Sequence, residues 1–249
     1  MGTSLRLIFC HIFLPLPIIV MFNMKIFRIA IIISVLCSIN TFAQSTARVT
    51  SGVDLGLGYQ DKIWVPAIMY HQDLGMANFP WFRIGWGVRT WGYYAGPTNL
   101  DPEAKGSSND YLKYKKTSSN GLSVLFGANF RLGSFDIGAN TDLIAVAFGA
   151  KRNGTYTKNY PLEDGTGYIN KIVSSKPSFI NALPAILNDQ AGQSEVYIRY
   201  WITTTIGVKV GYVMGRTTYS TAEKLENGQS RFSTNYAVPS VSVSFPLYN

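Results

Sequence analysis

The stretch "VPSVSVSFPLYN", residues 238–249, alternates large apolar and small polar residues with a period of two. From Ser240 onward, Val241, Val243 and Phe245 fall on one side, and Ser240, Ser242 and Ser244 fall on the other. Successive side chains of an extended chain point to opposite faces, so this pattern predicts a β-strand with one apolar face. An aromatic residue, Tyr248, stands one position before the last residue of the sequence.

The same alternation recurs along the chain, with no comparable run of helical periodicity inside these segments. It predicts eight strands, at residues 49–60, 63–72, 81–93, 122–131, 135–148, 195–202, 206–215 and 234–248. The second is the weakest because Pro66 lies within it. In the fifth, the alternation places Leu143 and Ala145 on the apolar face.

The connections between these strands alternate in length. The short or moderate ones are residues 73–80, 132–134 and 203–205, and the long ones are residues 95–121, 151–193 and 221–231. The first connection, at Asp61 and Lys62, is short although it falls in the long series. Short turns at one end and long loops at the other are typical of outer-membrane barrels, and an even strand number brings both termini to the periplasmic side.

The composition excludes several classes of protein. Charged residues make up 14% of the chain, against about 25% in soluble domains, yet the mean hydropathy of +0.08 is too low for a bundle of membrane helices. Both cysteines precede residue 44, so cysteine metal sites and disulfides are excluded beyond it. Three of the 22 basic residues and none of the 14 acidic ones precede residue 44, which leaves a net charge of +5. No basic run suggests nucleic-acid binding.

The first 43 residues have the features of an export leader. A basic segment at residues 24–28 precedes the apolar run 29–36, and Ala43 closes a small-x-Ala cleavage site. We expect translation to start at Met24 and cleavage to follow Ala43, so that residues 1–43 form the leader and residues 44–249 the barrel.

A retained membrane anchor is the alternative, because residues 7–22 are also apolar. Pro15 and Pro17 interrupt that run, and neither apolar run reaches the roughly 20 residues of a clean span. Cys37 follows a leucine and not a small residue, which argues against lipoprotein processing.

The charged residues on the predicted strands all share the glycine-rich face. They are Asp54, Arg83, Arg89, Arg131, Asp136, Asp142, Glu195, Arg199 and Lys209. A soluble barrel would turn charges outward, whereas a charge facing lipid at the bilayer midplane costs about 2–4 kcal/mol. The sequence therefore predicts a transmembrane barrel whose interior is filled by a structural network of ion pairs, because eight strands enclose little more than side chains.

The aromatic residues predict two interfacial belts. One set would mark the periplasmic rim: Trp81, Phe135, Phe245 and Tyr248. The other would mark the outer rim: Tyr59, Trp91, Tyr93, Tyr219 and Tyr236. Ordinary enrichment of aromatic residues in strands is the alternative explanation.

With these strands, charges and the near-terminal aromatic, residues 44–249 resemble a small eight-stranded outer-membrane β-barrel of the OmpA/OmpX type. The leader resembles those of exported Bacteroidota proteins, with Gln44 directly after the cleavage site. The resemblance implies an all-β, antiparallel, up-and-down barrel in the cell outer membrane, recognised through its last strand by the outer-membrane assembly machinery. The chain departs from the pattern by ending on Tyr248-Asn249 instead of a phenylalanine.

Catalytic chemistry has little support. Residues 44–249 contain one histidine, His71, which lacks the His-x-Ser arrangement of barrel deacylases and further histidines for a zinc site. No catalytic residue, metal site or cofactor is predicted.

The long connection 151–193 contains apolar residues at roughly helical spacing: Phe179, Ile180, Leu183, Ile186 and Leu187. They predict a short amphipathic helix that lies on the outer leaflet, caps the barrel or binds a ligand or partner. A loop packed on its neighbours is the alternative.

We therefore expect a monomeric, non-enzymatic outer-membrane barrel, in contact with membrane lipid, with a structural or adhesive role through residues 95–121 and 151–193. The extracellular partner is not identified by the sequence. A narrow channel or transporter, a lipid-modifying enzyme and a soluble exported binding barrel are the alternatives.

Overall fold

The computed structural model describes residues 48–76, 79–102, 110–162, 165–183 and 190–248. The expected leader, its cleavage site and the start at Met24 lie outside these residues. Within the described ranges, no helix is long and apolar enough to cross a membrane.

The described residues are all-β with antiparallel pairing, as the alternation predicts. They form 13 strands, so the expected number of eight is wrong. The strands are β1 (Arg48–Gln60), β2 (Ile63–Met76), β3 (Phe79–Ala95), β4 (Thr98–Pro102), β5 (Tyr111–Tyr114), β6 (Thr117–Leu132), β7 (Phe135–Phe148), β8 (Arg152–Leu162), β9 (Gly165–Pro177), β10 (Ile180–Ala182), β11 (Gly192–Trp201), β12 (Gly207–Thr221) and β13 (Arg231–Tyr248).

Eight strands match the predicted segments, and we call them the wall: β1, β2, β3, β6, β7, β11, β12 and β13. Each pairs with the next along the chain. β13 also pairs with β1, with Leu55 opposite Val243, so the pairings return to their start. The long alternating segments form the wall because each supplies one apolar face and one face of small or charged residues.

The additional strands come from the two longest connections, which the sequence treats as loops. β4 and β5 form within residues 95–121, and β8, β9 and β10 form within residues 151–193. β4 pairs with β13 and β5, β5 with β8, β8 with β9, and β9 with the end of β12. We call β4, β5, β8 and β9, with the adjoining ends of β12 and β13, the cap.

The cap has a hydrophobic core separate from the interior of the wall. Six fully buried side chains form it: Leu100, Leu112, Tyr114, Tyr156, Tyr219 and Phe232. Val173 and Leu225 pack against it. The cap strands are short and would be marginal alone, so this shared core and their pairing with the wall strands stabilise them.

The connection between β1 and β2 is a two-residue hairpin turn. Asp61 and Lys62 both adopt positive φ, 47° and 69°, between the paired residues Gln60 and Ile63. Two left-handed residues are the signature of a type I′ hairpin, whose twist matches that of the strands.

A bulge in β7 changes which residues face inward. The register shifts opposite Val124 and Leu125, so that Leu143 is passed over. Beyond this point Ile144 faces outward and Ala145 is fully buried. The expected outward position of Ala145 is therefore wrong, because one extra residue reverses the alternation.

Candidate functional site

The wall is apolar on its outer face and charged on its inner face. Trp86, on the outer face of β3, is 49% exposed, whereas Arg89 on the same strand is 2% exposed. Eight of the nine charged residues named from the sequence are buried on the inner face, and Arg131 is partly buried. The alternation thus places every predicted charge on the side away from the apolar surface.

One end of the inner face is organised around Asp136. Arg131 donates from Nε and Nη2 to its two carboxylate oxygens, at 2.5 and 2.8 Å. Trp201 donates from Nε1 to Oδ2 at 2.7 Å, and Arg199 Nη1 lies 3.6 Å from the same oxygen. Asp136 is opposite Arg131 across the β6–β7 hairpin and opposite Arg199 across the β7–β11 pair. Strand register therefore sets both contacts.

The network continues from Arg199 to Asp54. Arg199 Nη2 donates to both oxygens of Asp54, at 3.1 and 2.8 Å. Lys209 Nζ lies 2.8 Å from Asp54 Oδ2 and 3.0 Å from Glu195 Oε2. Asp54 thus neutralises two cations that are opposite each other in the β11–β12 register.

The far end of the network joins Glu195 to Asp142. Arg89 Nη1 lies 4.0 Å from Glu195 Oε2, and Arg89 Nη2 donates to Asp142 Oδ1 at 2.5 Å. Asn140 Nδ2 donates to Glu195 Oε2 at 3.0 Å, and the backbone N–H of Gln193 donates to Asp142 Oδ2 at 2.8 Å. Eight of the nine predicted charges therefore belong to one connected chain of contacts, from Arg131 to Asp142.

The ninth residue, Arg83, lies outside this chain. It donates to Thr50 Oγ1 at 3.4 Å, and the described residues place no carboxylate within 4.0 Å of it. Arg83 shares the inner face with the others but is not joined to them by an ion pair.

Two members of the network were not predicted. His71 Nδ1 lies 3.2 Å from Asp73 Oδ2, and His71 Nε2 lies 3.7 Å from Asp54 Oδ1. Arg199 Nη2 is 3.4 Å from the same His71 nitrogen. The signal was present in the sequence, since His71 and Asp73 share the parity of the inner face of β2, but the predicted second strand ends at residue 72 and leaves Asp73 in the connection that follows.

An aromatic layer lies between the charged network and the cap. Gln193 Nε2 donates to Tyr236 Oη at 2.8 Å, and the rings of Tyr93 and Tyr236 are 4.7 Å apart. Trp91 belongs to the same buried cluster.

This layer corrects the expected outer belt of aromatic residues. Trp91, Tyr93, Tyr219 and Tyr236 are buried, and of the five residues assigned to that belt only Tyr59 is exposed. The period-two rule itself gives this result, because Trp91 and Tyr93 share the parity of Arg89. Trp81, Phe135 and Phe245, assigned to the other belt, are exposed, and the side chain of Tyr248 lies outside the described part of the chain.

A small cavity lies inside the wall, beside the network. A cavity of about 20 Å³ is lined by residues that include Asp54, Arg89, Glu195 and Lys209. A water molecule needs at least about 10–15 Å³, so this cavity accommodates a single water.

Polar groups in the cap core are tied to the strands around them. Tyr114 and Ser175 hydroxyls share a hydrogen bond, and Tyr219 donates to the Ser118 carbonyl oxygen at 2.6 Å. Burial raises the pKa of Tyr114 to about 12 and raises that of Tyr219 above its ordinary value. Both hydroxyls are therefore protonated and uncharged at physiological pH.

The cap also carries a surface cleft of about 380 Å³ between β9 and the β12–β13 connection. Its lining includes Ile172 and Ser174 on one side and Ala222 and Leu225 on the other. The cleft is large enough for a small molecule or a few residues of a peptide.

The expected helix at Phe179, Ile180 and Leu183 is wrong. Ile180–Ala182 form β10, which pairs with Ile144–Val146 of β7. Leu183 adopts φ 48°, outside the right-handed helical region. Ile186 and Leu187, the other members of the expected helix, lie outside the described residues. Within those residues, no group of three or more histidine, cysteine, aspartate or glutamate side chains could hold a metal.

Comparison with known proteins gives a remote likeness among solved structures. No protein-family model matches the chain, and no curated protein does. Among solved structures, the chain is similar to the crystal structure of Neisserial surface protein A, with 10% sequence identity, 81% of this chain and 99% of that chain covered, and a TM-score of 0.28. At that score and identity the likeness settles neither fold nor function.

Proposed function

We propose that the protein is an outer-membrane β-barrel whose wall crosses the bilayer as a closed eight-stranded barrel and whose cap projects outside the cell. The observation that supports this proposal is the inversion of polarity, with apolar side chains around the outside and ion pairs inside. Water would favour the opposite arrangement, and an exposed apolar surface of this extent is rare in soluble monomers. Lipid contact removes that cost, because the bilayer core solvates aliphatic and aromatic side chains.

The interior of the barrel is a structural plug in this proposal and not a conduit. The connected ion pairs, the aromatic layer and the cap core follow one another along the axis. A narrow channel, the first alternative, would need a continuous path of water past these side chains. The cavity of about 20 Å³ beside Asp54 and Lys209 does not supply one.

The cap is the part of the molecule we assign to surface binding or adhesion. Residues 95–121 and 151–193 are longer than a connection requires, and they fold into strands around a core of their own. A rigid platform can present a binding cleft without losing conformational entropy on binding. The partner is extracellular and unidentified, the barrel is a monomer, and no catalytic role is proposed.

We propose no enzymatic activity because His71, the single histidine in residues 44–249, is already engaged by other side chains. His71 is held by Asp54, Asp73 and Arg199 inside the wall, where a lipid substrate would have to displace ion pairs. A barrel enzyme would instead present its base at the lipid-facing surface or at the barrel mouth.

The first experiment is heat modifiability of residues 44–249 refolded in detergent. We expect unboiled protein to migrate differently from boiled protein on a gel, with a β-rich circular dichroism spectrum. The same preparation without detergent is the control. Protein that stays soluble and β-rich in plain buffer, with no mobility shift, would contradict the membrane proposal and favour a soluble exported barrel.

A further inference from the structure

A seam of two segments joins the wall to the cap. Ala182 is opposite Ile144, and Ile180 is opposite Val146. The amide of Ala147 donates to the Phe179 carbonyl oxygen at 2.8 Å. Further along, Arg152 is opposite Ser175 in the β8–β9 register. Residues 144–152 and 175–182 therefore run side by side from the wall into the cap.

The wall side of this seam is apolar and exposed. Phe179 is 61% exposed and Ile180 is 66% exposed, and the neighbouring Ile144 and Phe148 are also exposed. Because β10 pairs with β7, these side chains lie beside the apolar outer face of that wall strand. On the proposed orientation they lie in the outer leaflet.

Asn181 holds the exposed side chains in place. It is fully buried on the opposite side of β10, where its Nδ2 donates to the Ser178 carbonyl oxygen at 2.9 Å. Its Oδ1 accepts from the Ala191 amide at 2.9 Å. Because Asn181 is fixed inward, Ile180 is fixed outward by the alternation of the strand.

The cap side of the seam is cationic. Lys151 directly precedes Arg152, and Lys176 directly follows Ser175, the β9 partner of Arg152; both lysine side chains are exposed. Among the described residues, neither lysine has a carboxylate within 4.0 Å, and residues 144–152 and 175–183 contain no acidic residue. Arg152 is different, because its Nη2 donates to Ser118 Oγ at 2.8 Å and is already engaged.

We propose that this seam binds a phosphate-bearing lipid of the outer leaflet, with the phosphate at Lys151 and Lys176 and an acyl chain along Phe179 and Ile180. The inference rests on the proposed membrane orientation and deepens it. Two features support a lipid over a water-soluble anion: the lysines stand at the end of the apolar face, and the apolar side chains continue directly beneath them. A free phosphate would use the lysines alone, whereas an anionic amphiphile satisfies both parts of the surface.

The test uses the full chain purified in a zwitterionic detergent and mixed with phosphatidic acid, whose headgroup is a phosphate monoester. Native mass spectrometry counts the lipid retained. We expect the variant Lys151→Gln/Lys176→Gln to retain phosphatidic acid roughly tenfold more weakly than the unsubstituted protein. Lys113→Gln/Lys158→Gln, with the same change of charge on β5 and β8, should bind as the unsubstituted protein does.

Two further measurements distinguish the binding of a phosphate-bearing lipid from the binding of any phosphate anion. Diacylglycerol, which lacks the phosphate, should bind equally to all three proteins, and an excess of inorganic phosphate should not displace phosphatidic acid. Equal retention by all three proteins, equal losses in both variants or displacement by inorganic phosphate would overturn the inference.

Heat modifiability of the same samples separates the two proposals. If all three proteins show the folded band and retain lipid equally, the lipid site fails and the barrel stands. If the unsubstituted protein shows no folded band and needs no detergent, the membrane proposal fails, and the lipid site fails with it.

Discussion

At the scale of single residues, Asp54 is the group on which the charged network depends. It accepts a hydrogen bond from Arg199 at 2.8 Å, forms an ion pair with Lys209 Nζ at 2.8 Å and lies 3.7 Å from His71. Removing one partner of a buried ion pair leaves a charge without compensation, which costs more than the pair contributes when intact. Here one carboxylate serves two cations, so its removal leaves both without their shared partner.

We therefore expect Asp54→Asn to lower the free energy of unfolding by about 3–5 kcal/mol. Urea unfolding in detergent, followed by circular dichroism, measures the change. Asp101→Asn, at an exposed site on β4, is the control and should change stability by less than about 0.5 kcal/mol. An unfolding midpoint for Asp54→Asn equal to that of the control would show that the network does not stabilise the barrel.

Glycine on the inner face makes room for the large side chains opposite it. A Cβ at Gly138 would lie 2.7 Å from Tyr197 Cζ and 2.8 Å from Asn129 Cβ. A Cβ at Gly75 would meet nothing closer than 3.6 Å. The two glycines therefore differ in packing although both lie on wall strands.

Gly138→Ala should destabilise the barrel by about 1–3 kcal/mol, because the added methyl group forces Tyr197 or the strand to move. Gly75→Ala should leave stability nearly unchanged. Thermal unfolding of both variants in the same detergent provides the comparison. Equal melting temperatures for the two would mean that the inner face is loosely packed at Tyr197.

At the scale of elements, the sequence predicts the wall strands well and the cap strands poorly. The wall segments contain eight or more alternating residues, so one face of each is defined by several side chains. β10 has three residues, and the spacing of Phe179, Ile180 and Leu183 fits a helix as well as a strand. Its conformation is decided by β7, whose pairing with β11 ends at Thr141 and leaves Ile144–Val146 in need of a partner.

A similar argument explains why the sequence did not predict the aromatic residues and the charge pairings inside the wall. Eight of the nine charges are buried on the inner face and Arg131 is partly buried there, because the parity of a strand residue decides its face. Trp91 and Tyr93 were assigned to a lipid interface because of their residue type, although their parity placed them inside. Which charges meet, such as Arg199 on β11 with Asp54 on β1, depends on contacts between strands that are not neighbours, and a single sequence does not contain that information.

The cap should loosen at alkaline pH before the wall does. In the unfolded chain a tyrosine ionises near pH 10, whereas Tyr114 in the folded cap has a pKa of about 12. Between these values the unfolded state loses a proton that the folded state keeps, so cap stability is complete below about pH 10 and falls as the pH rises towards 12. Tyr219, whose pKa is also raised, adds to the effect.

Ultraviolet absorbance of tyrosinate and limited proteolysis of the cap, measured together against pH, test this expectation. Proteolysis within residues 98–114 or 152–177 should begin above about pH 10 while the folded band on gels persists. Tyr114→Phe removes one of the titrating groups and should make cap stability less dependent on pH in this range. Ionisation of every tyrosine near pH 10 with an intact cap would contradict the burial of Tyr114.

At the scale of the whole molecule, the interior is layered from one end to the other. Asp136 and its partners lie at the end with the short turns, Asp54 and Glu195 follow, then Tyr93 and Tyr236, and finally the cap core. Each layer takes residues from several strands, so the wall is held from inside as well as by its backbone pairings. In the proposed membrane orientation, the charged layers keep polar groups away from lipid, and the apolar core of the cap lies where the strands leave the membrane.

This layering predicts that the protein does not conduct ions. In a planar bilayer at neutral pH we expect no stepwise current, because an ion would have to pass Arg199, Asp54 and Lys209 and then the aromatic layer. The paired substitution Glu195→Ser/Lys209→Ser removes one anion and one cation, so the net charge of the network is kept while space for water is gained. We expect this variant to fold, as judged by heat modifiability, and to pass at most a small leak, since Tyr93 and Tyr236 still obstruct the path. Regular conductance steps from the unsubstituted protein would show that the network opens, and the channel alternative would then replace the structural plug.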